Sequence, residues 1–212
     1  MDLRLVVLAV ACILAQCGAD NMSCEEIKGL VDGHNARREK LAAGQVAGQP
    51  AASNMKYIVW DNELADKATK WASNNKFQHN PDRTIGSGRF TTGENIYTYG
   101  TTMPDAKLNV EGALKAWFNE HKDYHYKTLE ASDFGAGPQT GHYTQMAWAD
   151  TKYVGCGKSQ YEDQGMQTFL VVCNYGPPGN FMGEYPYKTD GPKTGKVECK
   201  EEYCAKKYGD SC

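Results

Sequence analysis

The cysteines constrain the fold of this chain more than any other feature of its sequence. Of eight cysteines, six follow an N-terminal apolar segment, namely Cys24, Cys156, Cys173, Cys199, Cys204 and Cys212. An even number of cysteines in an exported protein predicts a disulfide framework, here of three bridges. A zinc cluster is disfavoured because no C-x-x-C pair occurs. Six cysteines can pair in many ways, so the connectivity stays open at this level.

The N-terminus has the features of a secretory signal peptide over residues 1–19. Arg4 precedes an apolar run at residues 5–15, and small residues favour cleavage near Ala19. The run is too short to span a bilayer. We therefore expect a secreted, extracellular protein without a membrane anchor; a retained N-terminal anchor is the alternative. The tripeptide Asn21-Met22-Ser23 is then a glycosylation acceptor near the mature N-terminus.

The charge balance argues against a nucleic-acid partner. The chain carries 23 basic and 26 acidic side chains, and no run of lysine or arginine stands out. A nucleic-acid-binding domain would concentrate its basic residues in a patch or stripe. We expect a monomer that binds no nucleic acid.

Apolar periodicity predicts four helices. Asp61 is the expected N-cap of the second helix, and Pro81 should end that helix near Asn80. The third should span about residues 105–123, and the fourth is short and lies within GHYTQMAWADT, residues 141–151. The apolar faces consist of Ile27, Leu30, Val31, His34 and Leu41 in the first helix, Leu64, Ala68, Trp71, Ala72 and Asn75 in the second, and Val110, Ala113, Leu114, Trp117 and Phe118 in the third.

Strand signals come late in the chain. KYVGCGKSQY (152–161) and QTFLVVCNY (167–175) are rich in β-branched and aromatic residues, and the intervening EDQG predicts a hairpin. Each strand holds one cysteine, which favours a link across or near the hairpin. YIVW (57–60) is a short strand or extended segment.

Residues 183–212 hold three cysteines and almost no aliphatics, so we expect a disulfide-stapled extension after a domain of residues 20–182.

The polar residues suggest a site only weakly. His34 lies on the apolar face of the first helix, where a hydrogen-bonded core histidine is favoured over a ligand. His121 and His125 have the i, i+4 spacing of a helical metal site, but the helix should end there. His79 would continue the buried stripe of the second helix. Glu120 follows the inward face of the third, so it either has a cationic partner or lies solvated at the rim.

Other motifs point away from catalysis. GCGKS (155–159) lacks the first glycine of a phosphate-binding loop, because position 152 is lysine, and it lies in a predicted strand. GSGR (86–89) is interpreted as a flexible loop. No G-x-S-x-G occurs, and the later cysteines are expected to be paired. The sequence thus singles out no nucleophile, which favours a protein that is not an enzyme, although a Ser/His/Glu arrangement could still assemble in space.

Several longer motifs resemble one known family. GHYTQMAWADT resembles the first signature of the CAP superfamily, which comprises cysteine-rich secretory proteins, antigen 5 and pathogenesis-related 1 proteins; LVVCNYGPPGNF (170–181) resembles the second. The likeness covers about residues 24–182 and is greatest to the antigen 5-like proteins of arthropod venom and saliva. Further matching segments, in the family order, are VDGHNARR (31–38), VWDNELADKATKWA (59–72), GENIY (93–97) and WFNEHKDY (117–124).

This resemblance implies an α+β fold, a three-layer α-β-α sandwich with a small, mainly antiparallel sheet. It also implies a cleft lined by two histidines and two acids that can hold a divalent cation. Carried over by motif, these are His79 of FQHN, Glu94 of GENIY, Glu120 of WFNE and His142 of GHYTQ. Such donors suit zinc, and we favour weak or conditional binding. The alternative is that the four groups hydrogen-bond one another across an empty cleft.

The resemblance also implies a function. We expect a secreted venom or salivary effector that binds small hydrophobic ligands, such as lipids, sterols or eicosanoids, or host targets in haemostasis and inflammation. One alternative is a metal-dependent hydrolase. Another is an integrin or receptor ligand using KYGDSC (207–212), although Arg-Gly-Asp is absent. Three cysteines in the extension are too few for an ion-channel regulatory domain, which argues against channel block.

Overall fold

A computed structural model describes residues 19–135, 137–199, 202–210 and 212, with the side chains of residues 19 and 20 left out. The predicted signal peptide lies outside this range except for its last residue, so it stays a prediction. No helix of the described part is long and apolar enough to cross a membrane.

The elements confirm the predicted α+β class. The helices are α1 (Cys24–Ala42), α2 (Asn62–Ala72), α3 (Val110–Asn119) and α4 (Gly141–Met146), and short 3₁₀ turns cover Glu120–Lys122, Ala131–Phe134 and Glu202–Ala205. The strands are β1 (Ala19–Asn21), β2 (Val59–Trp60), β3 (Gly93–Thr101), β4 (Tyr153–Asp163) and β5 (Met166–Gly176).

The sheet is mainly antiparallel. Its order is β1-β4-β5-β3, and only the short β2 pairs in parallel, with β4. The predicted β4–β5 hairpin is confirmed, with Gln164 and Gly165 as its two turn residues. Both have positive φ, 50° and 77°, which matches the right-handed twist of the flanking strands. Cys156 and Cys173 are register partners and form a disulfide across the hairpin.

Helices cover both faces of the sheet. One face packs against α1 and α3 through a core that includes Leu30, Leu114 and Val171. The other face packs against α2 through Ala68 and Val172 among others. This is the predicted three-layer sandwich, and the alternation of side chains along each strand supplies both cores.

Helix starts are set by side-chain caps. Ser23 and Glu26 form a reciprocal capping box at α1. Asp61 caps α2 by accepting from the Leu64 N–H at 2.9 Å, as predicted. Asn109 caps α3 by accepting from the Gly112 N–H at 3.1 Å. The third helix therefore begins at Val110, and the expected start near residue 105 was wrong.

The expected extension of α2 toward residue 80 was also wrong. The helix ends at Ala72, and Asn75 adopts a left-handed conformation with φ 54°. The reason is local chemistry: Ser73 Oγ donates to the Lys70 carbonyl at 2.7 Å, and Asn74 Nδ2 donates to the Trp71 carbonyl at 2.9 Å. These polar side chains compete with the helical backbone. His79 accordingly lies in a loop and not on a helical stripe.

The C-terminal extension is bound to the domain. Cys212 is joined to Cys24 at the start of α1, and Cys199 is joined to Cys204. The Tyr203 hydroxyl donates to the Tyr57 carbonyl at 2.9 Å. These two bridges confirm the predicted disulfide staple of the extension, and with Cys156–Cys173 they complete the predicted three disulfides.

Candidate functional site

The first predicted pair joins a loop to a strand. His79 Nδ1 lies 2.7 Å from Oε1 of Glu94, which sits near the start of β3. The Asn80 N–H donates to the same oxygen at 2.9 Å. The Glu94 side chain is fully buried, whereas that of His79 is 49 % exposed. The second oxygen of Glu94, Oε2, is buried and has no hydrogen-bond partner among the described residues.

The second predicted pair joins the end of α3 to α4. His142 Nδ1 lies 2.7 Å from Oε1 of Glu120, and the Tyr143 N–H donates to Glu120 Oε2 at 3.0 Å. Both side chains are largely buried. The His142 ring stacks on Trp117, with centroids 6.2 Å apart. Of the two alternatives for Glu120, a solvated rim position is therefore not the one found, because both carboxylate oxygens are hydrogen-bonded and the side chain is only 14 % exposed.

The buried side-chain amide of Asn95 links the two His–Glu pairs. Asn95 directly follows Glu94, and its Nδ2 donates to the His142 carbonyl at 3.1 Å and to the Tyr175 hydroxyl at 3.2 Å. The Tyr175 hydroxyl also contacts His34 Nε2 at 2.9 Å. Sequence reasoning missed Asn95 and Tyr175. The position of Asn95 beside the acid of GENIY was the only available signal.

The pairing determines which atoms remain for a ligand. Each histidine uses Nδ1 on a carboxylate, and neither Nε2 has a hydrogen-bond partner among the described residues. A carboxylate that holds Nδ1–H is the usual support of a histidine that binds metal through Nε2. The geometry thus suits two imidazole ligands, each oriented by an acid.

The four residues do not form one compact ligand group. Across residues 19–135, 137–199, 202–210 and 212, no three His, Cys, Asp or Glu side chains lie close enough to share an ion. Within each pair, the contacts match the alternative in which these groups hydrogen-bond one another. Two borderline nitrogen donors still fit zinc, but they fit a weak site and not a closed structural one.

The other histidines lie outside this arrangement. His34 is a hydrogen-bonded core residue, as predicted; its Nδ1 lies 2.7 Å from the Leu30 carbonyl, and burial lowers its pKa to about 4. His121 belongs to the 3₁₀ turn after α3, and His125 lies beyond it. These two therefore share no helix face, because the α-helix ends at Asn119.

The loop at residues 86–89 is more structured than predicted. Glu63 accepts from the Ser87 N–H and hydroxyl, both at 2.7 Å, and from Arg89 at 2.9 Å. The Ser87 hydrogen bonds, helped by Arg89, lower the pKa of Glu63 to about 2. This polar network ties the loop to the first turn of α2.

Comparison with known proteins identifies the family. The CAP model, described as the cysteine-rich secretory protein family, matches residues 31–175. The chain belongs to the CAP family. Venom allergen 5 of Polistes fuscatus is 42 % identical over 170 residues, which is 77 % of this chain and 79 % of the relative. Venom allergen 5.02 of Vespa crabro is 37 % identical over 175 residues, or 80 % and 83 %.

Solved CAP structures share the fold. A crystal structure of NaASP2 with Zn²⁺ is 31 % identical and has a TM-score of 0.69, covering 88 % of this chain and 97 % of that one. BmVAL-1 is 28 % identical and has a TM-score of 0.67, covering 84 % and 88 %. The chain is thus an antigen 5-like, venom allergen-like CAP protein.

Proposed function

We propose that this CAP protein is a secreted, non-enzymatic binding protein. Its cleft binds a divalent cation, with zinc as the favoured ion, through Nε2 of His79 and Nε2 of His142. The observation that carries the proposal is that Nδ1 of each imidazole ring lies 2.7 Å from a carboxylate oxygen. Nε2 of each ring is therefore left for a ligand. The similar NaASP2, whose crystal structure was determined with Zn²⁺, supports the same choice of ion.

The carboxylates act as positioning groups in this proposal. Glu94 and Glu120 hold each ring in one orientation and offset the positive charge of the cation. When bound, zinc supplies Lewis acidity. Two protein nitrogens leave the remaining coordination positions to water or to a ligand, so the expected binding is weak.

Zinc titration by calorimetry tests the site. We expect one ion per chain, a loss of binding in His79→Ala and in His142→Ala, and a weakening of about 10–100-fold in Glu120→Gln, which removes the carboxylate that orients His142. His125→Ala is the matched control and should bind like the wild type. Unchanged affinity in both histidine variants would refute the assignment.

A second candidate function is binding of an amphiphile. An open cavity of about 560 Å³ lies between the C-terminal half of α1 and α3, with Phe118 and Val46 among its apolar residues. Lys40 and Lys115 are exposed along it. An apolar floor beside two lysines that form no ion pair with any residue the structure describes suits a lipid that carries a carboxylate, such as a fatty acid or an eicosanoid.

Native mass spectrometry with a lipid panel tests this candidate. Reversing both charges, as in Lys40→Glu with Lys115→Glu, should weaken the binding of a fatty acid at least about tenfold and leave that of an uncharged sterol unchanged. The absence of binding of every lipid class would exclude this groove as a lipid site.

Two alternatives have separate tests. A metal-dependent hydrolase would show turnover with added zinc that His142→Ala abolishes. All six later cysteines are in disulfides, so a thiol nucleophile among them is not available to such an enzyme. For a receptor ligand, the exposed Asp210 is the residue to change, and Asp210→Ala should then reduce platelet adhesion.

A further inference from the structure

A second cavity, separate from the groove along α1, lies beside α2 and adjoins the His79–Glu94 pair through Asn80. Its volume is about 580 Å³. Lys67, Lys70 and Trp71 form its floor, because their spacing of three and four residues places them on one side of α2, and Asn74 extends the floor into the turn that follows the helix. The loop of residues 80–86 forms the opposite wall.

The wall is held to the helix at two points. Glu63 binds Ser87 at 2.7 Å, and Lys67 Nζ lies 3.5 Å from Asp82 Oδ2. Asp82 is itself ordered, because its Oδ1 accepts from the Thr84 N–H at 2.9 Å and hydroxyl at 2.6 Å. The cavity is therefore preformed, which lowers the entropy cost of binding.

Trp71 is the aromatic residue of this cavity. The other three tryptophans of the chain are at most 3 % exposed, whereas Trp71 is only partly buried. Its indole N–H donates to the Gln78 carbonyl at 2.7 Å, so the ring orientation is fixed. A fixed, partly exposed indole offers an apolar face to a ligand at little cost in side-chain entropy.

The polar groups around the indole include both hydrogen-bond donors and hydrogen-bond acceptors. Asn80 is buried, and its Oδ1 accepts from the Asp82 N–H at 3.0 Å. Its Nδ2 donors have no partner in the part of the chain that the structure describes. The Nδ2 atom is not one of the buried unpartnered atoms, so it is open to the cavity, where a ligand hydroxyl can accept from it. Asn74 and Asp82 add acceptors, and Lys67 and Lys70 add donors.

This combination selects a ligand class. A sugar ring has an apolar C–H face that packs on an indole and hydroxyls that both donate and accept. Two lysines and two acids line the cavity, so their formal charges cancel; Lys67 is paired with Asp82, and Glu63 is paired with Arg89. We propose that the cavity between α2 and residues 80–86 binds a neutral carbohydrate, with its ring on Trp71 and a hydroxyl on the free Asn80 amide.

Tryptophan fluorescence tests the proposal directly, because Trp71 is the one tryptophan that a ligand can reach. The probes are the trisaccharides of N-acetylglucosamine, mannose and galactose, with a heparin tetrasaccharide as the anionic comparison, each titrated to about 20 mM with a chelator present. We expect at least one neutral trisaccharide to shift the emission and to protect Trp71 from acrylamide quenching.

Variants then locate the site. Calorimetry should show binding weakened about tenfold or more in Trp71→Ala and partly retained in Trp71→Phe. Asn80→Asp keeps the oxygen that accepts from the Asp82 N–H but removes the Nδ2 donors, so it should also weaken binding. This variant tests the amide while the indole ring of Trp71 stays in place. Phe77→Ala is the matched control, because Phe77 is 58 % exposed nearby but does not line the cavity.

Three outcomes would overturn the proposal. These are no binding by any neutral trisaccharide, binding of the heparin fragment alone, or equal binding in Trp71→Ala, Asn80→Asp and Phe77→Ala. Thermal unfolding of each variant checks that the fold is retained. Because the chelator removes metal, failure of the cation site would not affect this result.

Discussion

At the scale of single residues, the structure separates two adjacent arginines. Arg38 is 1 % exposed, and its guanidinium donates to five backbone carbonyls. Four of those carbonyls belong to residues 146–151, the segment that begins at the last residue of α4. Burial lowers the pKa of Arg38 to about 9, so the group still carries its charge at neutral pH. Arg37, in contrast, forms an ion pair with the exposed Glu111.

Replacing each arginine by alanine should therefore give different results. Arg38→Ala leaves several buried carbonyls without donors, and we expect a loss of at least about 3 kcal/mol in the free energy of unfolding. Arg37→Ala should cost less than about 1 kcal/mol, because its partner lies in solvent. Urea unfolding at pH 7 measures both, and equal losses would contradict this account.

His34 makes stability depend on pH. Burial lowers its pKa from 6.5 to about 4, so between these values the unfolded chain binds a proton that the folded chain does not. Stability contributed by this residue is thus complete above pH 6.5 and falls as the pH falls toward 4, by about 3 kcal/mol in all. His34→Gln should flatten that part of the pH profile in urea unfolding, and an unchanged slope would count against it.

At the scale of elements, two glycines set the distance between a helix and the sheet. A Cβ on Gly155 would lie 2.2 Å from the Ala65 N atom, and one on Gly157 would lie 2.2 Å from the Thr69 N atom. Helix α2 therefore packs directly on the backbone of β4. The two glycines of GCGKS allow this close approach of helix to strand. Their presence in the sequence is therefore explained by packing and not by a phosphate-binding loop.

Gly157→Ala tests this contact. The methyl group would meet helix backbone, which cannot move aside without shifting α2, so we expect a loss of about 2–3 kcal/mol. Gly137→Ala is the control, because an added Cβ there meets nothing within 4 Å. Thermal unfolding measures the difference. A Gly157→Ala protein as stable as Gly137→Ala would mean that α2 does not rest on the strand.

At the scale of the whole molecule, the C-terminal extension is tied to α1. The Cys24–Cys212 bridge links residues 188 positions apart, whereas Cys199–Cys204 spans five. The Tyr208 hydroxyl donates to the Asp32 carboxylate at 3.0 Å, and Lys207 lies 2.7 Å from the same group. The extension thus covers the start of α1 and adds no separate core.

The two bridges should differ in their effect on stability. Replacing Cys24 and Cys212 by serine releases the longer loop and should cost about 3–5 kcal/mol, while replacing Cys199 and Cys204 should cost clearly less. Guanidinium unfolding and limited proteolysis of the extension measure both. Equal losses would show that loop length does not govern the contribution of these bridges.

Local features were largely predictable. The α1 stripe, the Asp61 cap and the hairpin with its cysteine pair all follow from contacts between near neighbours in sequence. Helix ends were less predictable, because Asn74 and Asn109 act through single hydrogen bonds that periodicity does not report. The four predicted site residues came from the family resemblance; the structure joins them as two His–Glu pairs and not as one ligand group, and cation binding by them stays a prediction.

By itself, the sequence determined the helix faces and the hairpin, because each depends on a residue pattern along a short stretch of chain, and it determined the family and the fold class through the resemblance of several long motifs. Only the tertiary structure decided that His79 pairs with Glu94 and His142 with Glu120, that Arg38 and not Arg37 is buried, and that the cysteines of the extension reach back to Cys24. These contacts join residues from 15 to 188 positions apart. Their energies depend on packing and burial in three dimensions, which no local pattern records.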